Sequence, residues 1–173
     1  MNIIAISIIT GVISGLVSSL MFFWMISFMR PKIELSTEIC KGNDEHGVFY
    51  GFKVINRSIY HVLDLRAEVI LKTPFNSNGG QNYSNKWIKL RRENILLFPR
   101  FKRDKNYADY ALILATRDDL EDLWIDTNQF LEIKIHGKHS FSGVSKSFEQ
   151  KFYTKKNCIK EGMFNFGKTF AIS

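Results

Sequence analysis

The first 29 residues of the chain lack any ionisable side chain, so all 24 basic and 17 acidic residues lie between Arg30 and Ser173. This segregation excludes a simple soluble enzyme, a disordered chain and a coiled coil. Three prolines and two cysteines are too few for a collagen-like or disulfide-rich protein. We therefore expect a hydrophobic segment, residues 1–29, followed by one domain of common size, residues 30–173.

Catalytic and metal-binding motifs are also missing. The sequence has no Gly-x-Ser-x-Gly motif and no phosphate-binding Gly-x-x-x-x-Gly-Lys-Ser/Thr loop. His136 and His139 have a strand-and-turn spacing that places their rings on different faces, with no set of cysteines or carboxylates beside them. The acids Asp118, Asp119 and Asp122 are explained more simply by the start of a helix. We expect no catalytic site, no metal site and no cofactor.

Residues 2–29 form an unbroken apolar run. As a helix, the 29 residues up to Met29 are about 44 Å long at ~1.5 Å per residue, which exceeds the ~30 Å hydrocarbon core of a bilayer. A cleaved signal peptide is the alternative, but it needs a basic start, a shorter apolar stretch and a small-x-small cleavage site. Here no basic residue starts the run, the apolar stretch is longer, and the run ends in the bulky sequence Phe-Trp-Met-Ile-Ser-Phe-Met. The pattern predicts an uncleaved, single-pass transmembrane helix.

The flanks of this helix predict its orientation. Arg30 and Lys32 follow the apolar run and no basic residue precedes it. The positive-inside rule then places the N-terminus outside and the C-terminal domain in the cytoplasm, at the inner (cell) membrane. Pro31 ends the helix at the interface. Cys40 and Cys158 fit a reducing compartment, and a disulfide between them is the alternative in the opposite topology.

Small residues recur on one face of the predicted helix. Ser7, Gly11, Gly15 and Ser19 are spaced four apart, which aligns them in one stripe where two helix backbones can approach closely. The simpler interpretation is that glycine and serine are common in membrane helices. We predict that the stripe mediates homo-oligomerisation.

Alternating hydrophobicity replaces the apolar run after Pro31. Residues 33–39 and 63–71 alternate apolar and polar side chains, as half-buried strands do. Residues 41–47 are expected to form a turn, Thr73-Pro74 to end a strand, and residues 76–82 to form a long exposed loop.

Further short apolar runs predict additional strands. Residues 116–124 are instead typical of a helix, with Thr116 as its N-cap and Leu120, Leu123 and Trp124 on one side. Eight or nine short strands and one short helix predict an immunoglobulin-like β-sandwich.

Charge is concentrated in two segments of the domain. Residues 86–105 carry a local charge of +6, and residues 116–126 a local charge of −4. A solvated face is the simplest explanation, while an anionic lipid, a phosphate-bearing ligand or the acidic segment of a neighbouring subunit are candidate partners of the basic run. Five residues form the predicted anion site: Arg91, Arg92, Arg100, Lys102 and Arg103.

Aromatic residues are interleaved with this basic run. Tyr83, Trp87, Phe98, Phe101 and Tyr107 lie within or beside it. Aromatic rings beside cations suit the stacking of bases next to phosphates, although aromatics in a sandwich commonly belong to the core. A nucleotide or nucleic acid is therefore a candidate ligand.

The segment from Asp118 to Phe166 resembles the cytoplasmic immunoglobulin-like domain of inward-rectifier potassium channels. In that family an Asp-Leu-Glu helix leads to a strand ending in Glu-Gly, a Thr-Gly turn, an Arg-Ser-Ser-Tyr strand and a Trp-Gly corner. The matching positions here are Asp119-Leu120-Glu121, residues 131–137, Ser142-Gly143, residues 150–153, and Gly162 with Phe164 and Phe166. Ser142 replaces the threonine, and no tryptophan precedes Gly162.

The resemblance implies an immunoglobulin-like sandwich and assembly of the cytoplasmic domains as a ring. Potassium conduction is not implied, because the chain lacks the second membrane helix and the Thr-x-Gly-Tyr-Gly filter. In that family, basic residues just past the inner helix bind anionic lipid headgroups. By analogy, Arg30 and Lys32 form the predicted headgroup site.

Together these features predict a non-enzymatic membrane protein that senses a ligand or partner at the inner membrane surface. One version is a membrane-disrupting effector of a bacterial defence or stress system, including antiviral defence, that responds to a phosphate-bearing signal. The alternative is a passive membrane-anchored scaffold that docks a partner protein.

Overall fold

The computed structural model describes residues 3–104 and 107–173 of the chain. It consists of one long N-terminal helix and a mostly β domain. The helices are α1 (Ile3–Phe28), α2 (Leu120–Leu123) and α3 (Lys155–Cys158). The strands are β1 (Ile33–Asp44), β2 (Gly47–Asn56), β3 (Val62–Ser77), β4 (Gly80–Ile88), β5 (Asn94–Phe98), β6 (Ala111–Thr116), β7 (Phe130–His139), β8 (Ser145–Phe152) and β9 (Ile159–Glu161).

Helix α1 is 26 residues long, and its side chains remain exposed or partly exposed because the domain does not pack along it. A helix of this length is about 39 Å long, enough to cross a bilayer. Its length and composition fit a membrane span, and its position near the N-terminus also fits a signal sequence. The predicted apolar helix is confirmed, and it ends at Phe28, two residues before Arg30.

Two sheets pack face to face and enclose the core. One sheet has the strand order β6-β2-β1-β9, and the other has the order β4-β3-β7-β8 with β5 also paired to β3. The main core comes from both sheets and includes Phe52, Leu65, Ile133 and Phe152, all of them buried. The β-sandwich prediction is confirmed.

Strand β1 carries a bulge that the alternation pattern did not predict. The register with β2 shifts between Leu35 and Ile39, so Ser36 is buried and Thr37 is exposed. The Ser36 hydroxyl accepts from the Glu38 backbone N–H at 3.0 Å, which satisfies a polar group of the bulge. The strand also continues to Asp44, and the predicted turn over residues 41–47 shrinks to Glu45 and His46.

Strand β3 runs through Pro74, where a strand end was predicted. The β3–β7 ladder ends at the pair Lys72↔Phe130, so Pro74 is paired only with β4. A proline is tolerated there because one side of the strand has no ladder to which an N–H must donate. The predicted loop over residues 76–82 is instead a tight hairpin turn at Asn78 and Gly79, where Gly79 has a φ of 120°.

Candidate functional site

The end of α1 is hydrogen-bonded to two loops of the sandwich. The Lys32 N–H donates to Ser58 Oγ at 2.8 Å, and the Arg57 N–H donates to the Lys32 carbonyl at 2.7 Å. In the β7–β8 turn, the Ser142 hydroxyl donates to the Met29 carbonyl at 2.5 Å. These three hydrogen bonds therefore hold the sandwich domain directly against the end of α1.

A cavity of about 380 Å³ lies at this joint, and we name it the junction cavity. The last turns of α1 supply its apolar wall. Its lining is Trp24, Met25, Phe28, Met29, Arg30, Lys32, Arg57, Ser58, Ile59, Tyr60 and His139. The two predicted headgroup residues, Arg30 and Lys32, therefore share one amphipathic cavity with a third cation, Arg57.

The outer face of the β6-β2-β1-β9 sheet is covered by the last residues of the chain, 162–173, which we name the C-terminal strap. The strap folds back on itself, with Met163 and Ser173 exchanging backbone hydrogen bonds of 2.9 and 3.0 Å. Its Phe164 packs on Cys40 and Phe49 in a second small core. The strap is thus a packed element of the domain.

Lys53 of β2 fastens the strap. Its side chain is buried, and its ammonium donates to the carbonyls of Asn165 and Thr169 at 2.5 and 2.7 Å. The same ammonium lies 6.0 Å from the centre of the Phe164 ring. Burial, together with the nearby charge of Arg57, lowers the pKa of Lys53. One cation therefore ties several points of the strap to β2.

Between the strap and the loop before β6 lies a second cavity of about 470 Å³, the strap cavity. Aromatic rings and basic side chains dominate its lining. The lining residues are Phe101, Lys102, Arg103, Asp104, Tyr110, Phe166, Gly167 and Lys168. The site therefore combines apolar surface for a flat ring with several donors for an anion.

Contacts around the strap cavity hold its walls in place. The rings of Phe101 and Tyr110 lie 4.8 Å apart, and the Arg57 guanidinium lies 5.6 Å from the centre of the Phe101 ring. Lys102 forms an ion pair with Asp109 at 3.0 Å. Arg57 also lines the junction cavity, so its contact with Phe101 connects the residues of the two cavities.

The five predicted anion-site residues do not form one site. Lys102 and Arg103 line the strap cavity, whereas Arg91 and Arg92 line a separate cavity beside Ala115. The strap cavity reaches Tyr110, just before β6, whereas the second cavity is lined by Leu112, Ile113 and Ala115 of β6 itself. The two pairs of basic residues therefore lie in different cavities. Their closeness in sequence does not bring them together because the chain between them forms β5.

The remaining residues of the predicted basic run lie elsewhere. Arg100 is exposed, and its backbone N–H donates to His61 Nδ1 at 3.3 Å. Lys105 lies outside the described residues. The sequence did not indicate that Phe166 and Lys168 belong to the strap cavity, because nothing local predicts that the strap folds onto the loop before β6.

The acidic segment forms ion pairs within the chain through one of its acids, Glu121, and through its single base, Arg117. Arg117 binds Asp44 at 2.7 Å, and the pKa of that carboxyl is lowered. Lys41 binds Glu121 at 2.7 Å, which raises the pKa of the lysine. Arg91 also lies 3.5 Å from Asp44. Asp44 belongs to β1, so Arg117 and Arg91 neutralise an acid outside the acidic segment.

Asp119, rather than the predicted Thr116, caps α2. Its carboxylate accepts from the N–H groups of Glu121 and Asp122 at 2.9 and 3.3 Å. The Tyr50 hydroxyl donates to the same oxygen at 3.0 Å, and this bond is the main cause of the lowered pKa of Asp119. The predicted structural role of this acidic group is correct, although its capping residue was misassigned.

The small-residue stripe of α1 is exposed over its whole length. The hydroxyls of Ser7 and Ser19 donate to the carbonyls four residues earlier, at 3.0 and 2.8 Å. A Cβ atom added at Gly11 or Gly15 meets nothing within 4 Å. The stripe is therefore a smooth surface with its polar groups satisfied inside the helix.

An aromatic groove of about 480 Å³, the distal groove, lies at the far end of β3. Phe130 packs against Tyr83 and Tyr153, with ring centres 5.5 and 5.7 Å apart. Its lining is Pro74, Phe75, Asn76, Gln81, Tyr83, Asn128, Phe130 and Tyr153. The sequence did not predict this groove because its rings come from β3, β4, β7 and the residue that follows β8.

Among the described residues, no group of three or more His, Cys, Asp or Glu side chains could hold a metal ion. His136 is exposed and His139 is buried, so the two rings lie on opposite faces of β7. Cys40 and Cys158 are free thiols.

No protein-family model matches the chain, and no curated protein matches it in sequence.

Proposed function

We propose that this protein is a membrane-anchored receptor that binds a nucleotide-like, phosphate-bearing ligand in the strap cavity. The observation that carries the proposal is the combination of aromatic rings and three cations, Lys102, Arg103 and Lys168, around one cavity. Rings of this kind stack on a base, and lysine and arginine donate charge-assisted hydrogen bonds to phosphate oxygens. The protein acts by binding, without catalysing a reaction.

The anchor is α1, crossing the inner membrane once with its N-terminus outside. Arg30 and Lys32 at the end of the helix favour the cytoplasmic side for the sandwich. In this orientation the junction cavity opens at the lipid headgroups, and its cations suit an anionic headgroup. A soluble ligand in the strap cavity and a lipid in the junction cavity are then neighbours.

A physical connection between the two cavities supports signalling to the helix. The Arg57 guanidinium donates to the Lys168 carbonyl of the strap at 3.3 Å, and the Arg57 side chain lines the junction cavity. A ligand that draws Lys168 inward moves the acceptor of Arg57 and so changes the surroundings of the helix end. In a bacterial defence or stress system, such a change would convert ligand binding into damage to the membrane.

The binding step is tested with two matched double variants in nanodiscs, using the fluorescent nucleotide mant-ADP as probe. Arg103→Gln/Lys168→Gln removes two charges from the strap cavity and should weaken binding about tenfold or more, because each charge-assisted hydrogen bond contributes about 1.5–3 kcal/mol. Arg91→Gln/Arg92→Gln removes the same charge from the separate cavity beside Ala115 and should change the affinity less than about twofold. Equal losses in the two variants would reduce the effect to general electrostatic attraction and contradict the proposed site.

Self-association through Ser7, Gly11, Gly15 and Ser19 is part of the same proposal. Gly11→Leu/Gly15→Leu should reduce the oligomers captured by crosslinking in membranes, because bulky side chains separate the helices. The substitution does not disturb the chain's own packing, since both glycines face open space. Ile13→Phe/Val17→Phe adds bulk to the opposite side of α1 as a control. An unchanged crosslinking ladder in the glycine variant would refute association through this stripe.

The passive scaffold is the second candidate function, and the distal groove favours it. Its exposed rings Phe75, Tyr83 and Tyr153 suit an apolar segment of a partner protein. The two functions differ when the protein is overproduced in cells together with its ligand. An effector should depolarise the membrane, and Arg103→Gln/Lys168→Gln should prevent this. Unaltered growth and membrane potential under every condition would favour the scaffold.

A further inference from the structure

Two large apolar side chains project from the end of the sandwich that adjoins α1. Ile59, in the loop between β2 and β3, is 74% exposed, and Phe141, in the turn between β7 and β8, is 67% exposed. The Phe141 ring stacks on Tyr60, with ring centres 5.7 Å apart. We name residues 57–61 and 139–144 the proximal loops.

The proximal loops lie level with the last turns of α1. Ile59 lines the junction cavity together with Trp24 and Met25, which precede the end of the helix by about one turn. The Ser142 hydroxyl bonds the Met29 carbonyl, and the Ser140 N–H donates to the His61 carbonyl at 3.1 Å. Both loops are therefore fixed to the helix end and to each other.

The length of α1 sets the depth of these loops. Its 26 residues extend about 39 Å, roughly 9 Å more than the hydrocarbon core of a bilayer. An excess of this length at the C-terminal end comprises the final turns of the helix, including Trp24, and aromatic residues of this type are enriched at the headgroup level. Side chains level with Trp24 and Met25 thus reach the interfacial layer.

We propose that Ile59 and Phe141 insert into the interfacial layer of the bilayer, so that the sandwich is docked on the membrane in one orientation. Arg30, Lys32 and Arg57 surround the junction cavity beside these apolar side chains and complement an anionic lipid surface. The bilayer is the occupant that the structure favours over a protein, because the surface is continuous with the membrane anchor. The inference rests on the anchoring proposed above and is independent of ligand binding.

The test is a depth measurement on the full chain in nanodiscs of phosphatidylcholine and phosphatidylglycerol. In a Cys158→Ser background, which leaves the buried Cys40 as the other thiol, an environment-sensitive NBD fluorophore is attached to Ile59→Cys or Phe141→Cys. Both labels should be quenched several-fold more strongly by lipids carrying a nitroxide near the headgroup than by a water-soluble nitroxide. The quenching ratio should fall in nanodiscs of phosphatidylcholine alone.

Three control positions distinguish docking of the sandwich on the bilayer from insertion of the anchor alone. Leu96→Cys and Ile125→Cys carry the label at apolar positions that are 83% and 82% exposed and lie outside the proximal loops, and these labels should remain accessible to the water-soluble quencher. Leu16→Cys, at the middle of α1, reports on the anchor itself and is measured with lipids that carry the nitroxide deep in the acyl chain. Quenching at Leu16 without lipid quenching at Ile59 and Phe141 would overturn the docking and leave the anchor intact. Loss of lipid quenching at Leu16 would overturn both.

Discussion

Asp119 joins a helix to a strand through a single carboxylate oxygen. The oxygen accepts from two N–H groups at the start of α2 and from the Tyr50 hydroxyl of β2. Because these bonds favour the charged carboxylate, the pKa of Asp119 lies below its ordinary value of 3.8. The group thus stabilises the fold fully above the unfolded pKa, and this contribution is lost as pH falls through the lower folded pKa.

Substitution of Asp119 should therefore have a pH-dependent cost. Asp119→Ala removes the cap and should lower the free energy of unfolding by about 1 kcal/mol at neutral pH, while Asp119→Asn keeps an acceptor and should cost less. Urea unfolding near pH 7 and near pH 3 measures both. The difference between wild type and Asp119→Asn should shrink at the lower pH. Asp122→Asn, which removes an equal charge from the same turn, is the control, and a difference that does not vary with pH would contradict this role.

Local sequence could place the cap only within a few residues. Thr116 and Asp119 are both good capping residues three positions apart, and both precede the apolar residues of α2. Thr116 is instead buried, where its hydroxyl accepts from the Asp118 N–H at 3.1 Å. The donor that distinguishes the two, the Tyr50 hydroxyl, comes from a strand 69 residues away.

At the scale of elements, the sequence predicts those strands and helices that have a regular hydrophobic pattern, but it does not predict the C-terminal strap. The alternation in residues 63–71 corresponds to β3, because a strand buried on one face alternates apolar and polar side chains. The apolar run before Arg30 corresponds to α1, because a helix long enough to span a bilayer is apolar throughout. The strap has no such period. Its position depends on Lys53, which looks like an ordinary outward-facing strand residue in the sequence and is only 2% exposed in the structure.

The strap should control the reactivity of Cys40. This thiol is buried beneath Phe164, and burial raises its pKa. In a Cys158→Ser background, Phe164→Ala should speed maleimide labelling of Cys40 about tenfold or more, since it uncovers the sulfur and brings the pKa of the thiol closer to its ordinary value. Phe166→Ala removes an exposed ring from the same strap and should leave the rate near that of the wild type. Equal acceleration by both substitutions would mean that the strap is not packed as described.

At the scale of the whole molecule, the two proposed binding regions lie at different distances from α1, and so from the membrane in the proposed orientation. The strap cavity adjoins the junction cavity, whereas the distal groove lies at the far end of β3, a strand of 16 residues that extends about 50 Å. The sequence could predict a basic run, but not that β5 divides its residues between two separate cavities. That division is a property of strand pairing, which composition does not encode.

Proximity to the membrane also determines the concentration of ligand that the strap cavity meets. An anionic leaflet has a surface potential of about −30 mV, which disfavours a doubly charged anion by about 1.4 kcal/mol and so depletes it about tenfold at the surface. The affinity for mant-ADP should thus appear about tenfold weaker in phosphatidylglycerol-rich nanodiscs than in phosphatidylcholine alone, and high salt should remove the difference. Equal affinity in both lipids at low salt would contradict this. A partner at the distal groove lies many Debye lengths away, so lipid composition becomes a means of tuning one binding region of the protein without affecting the other.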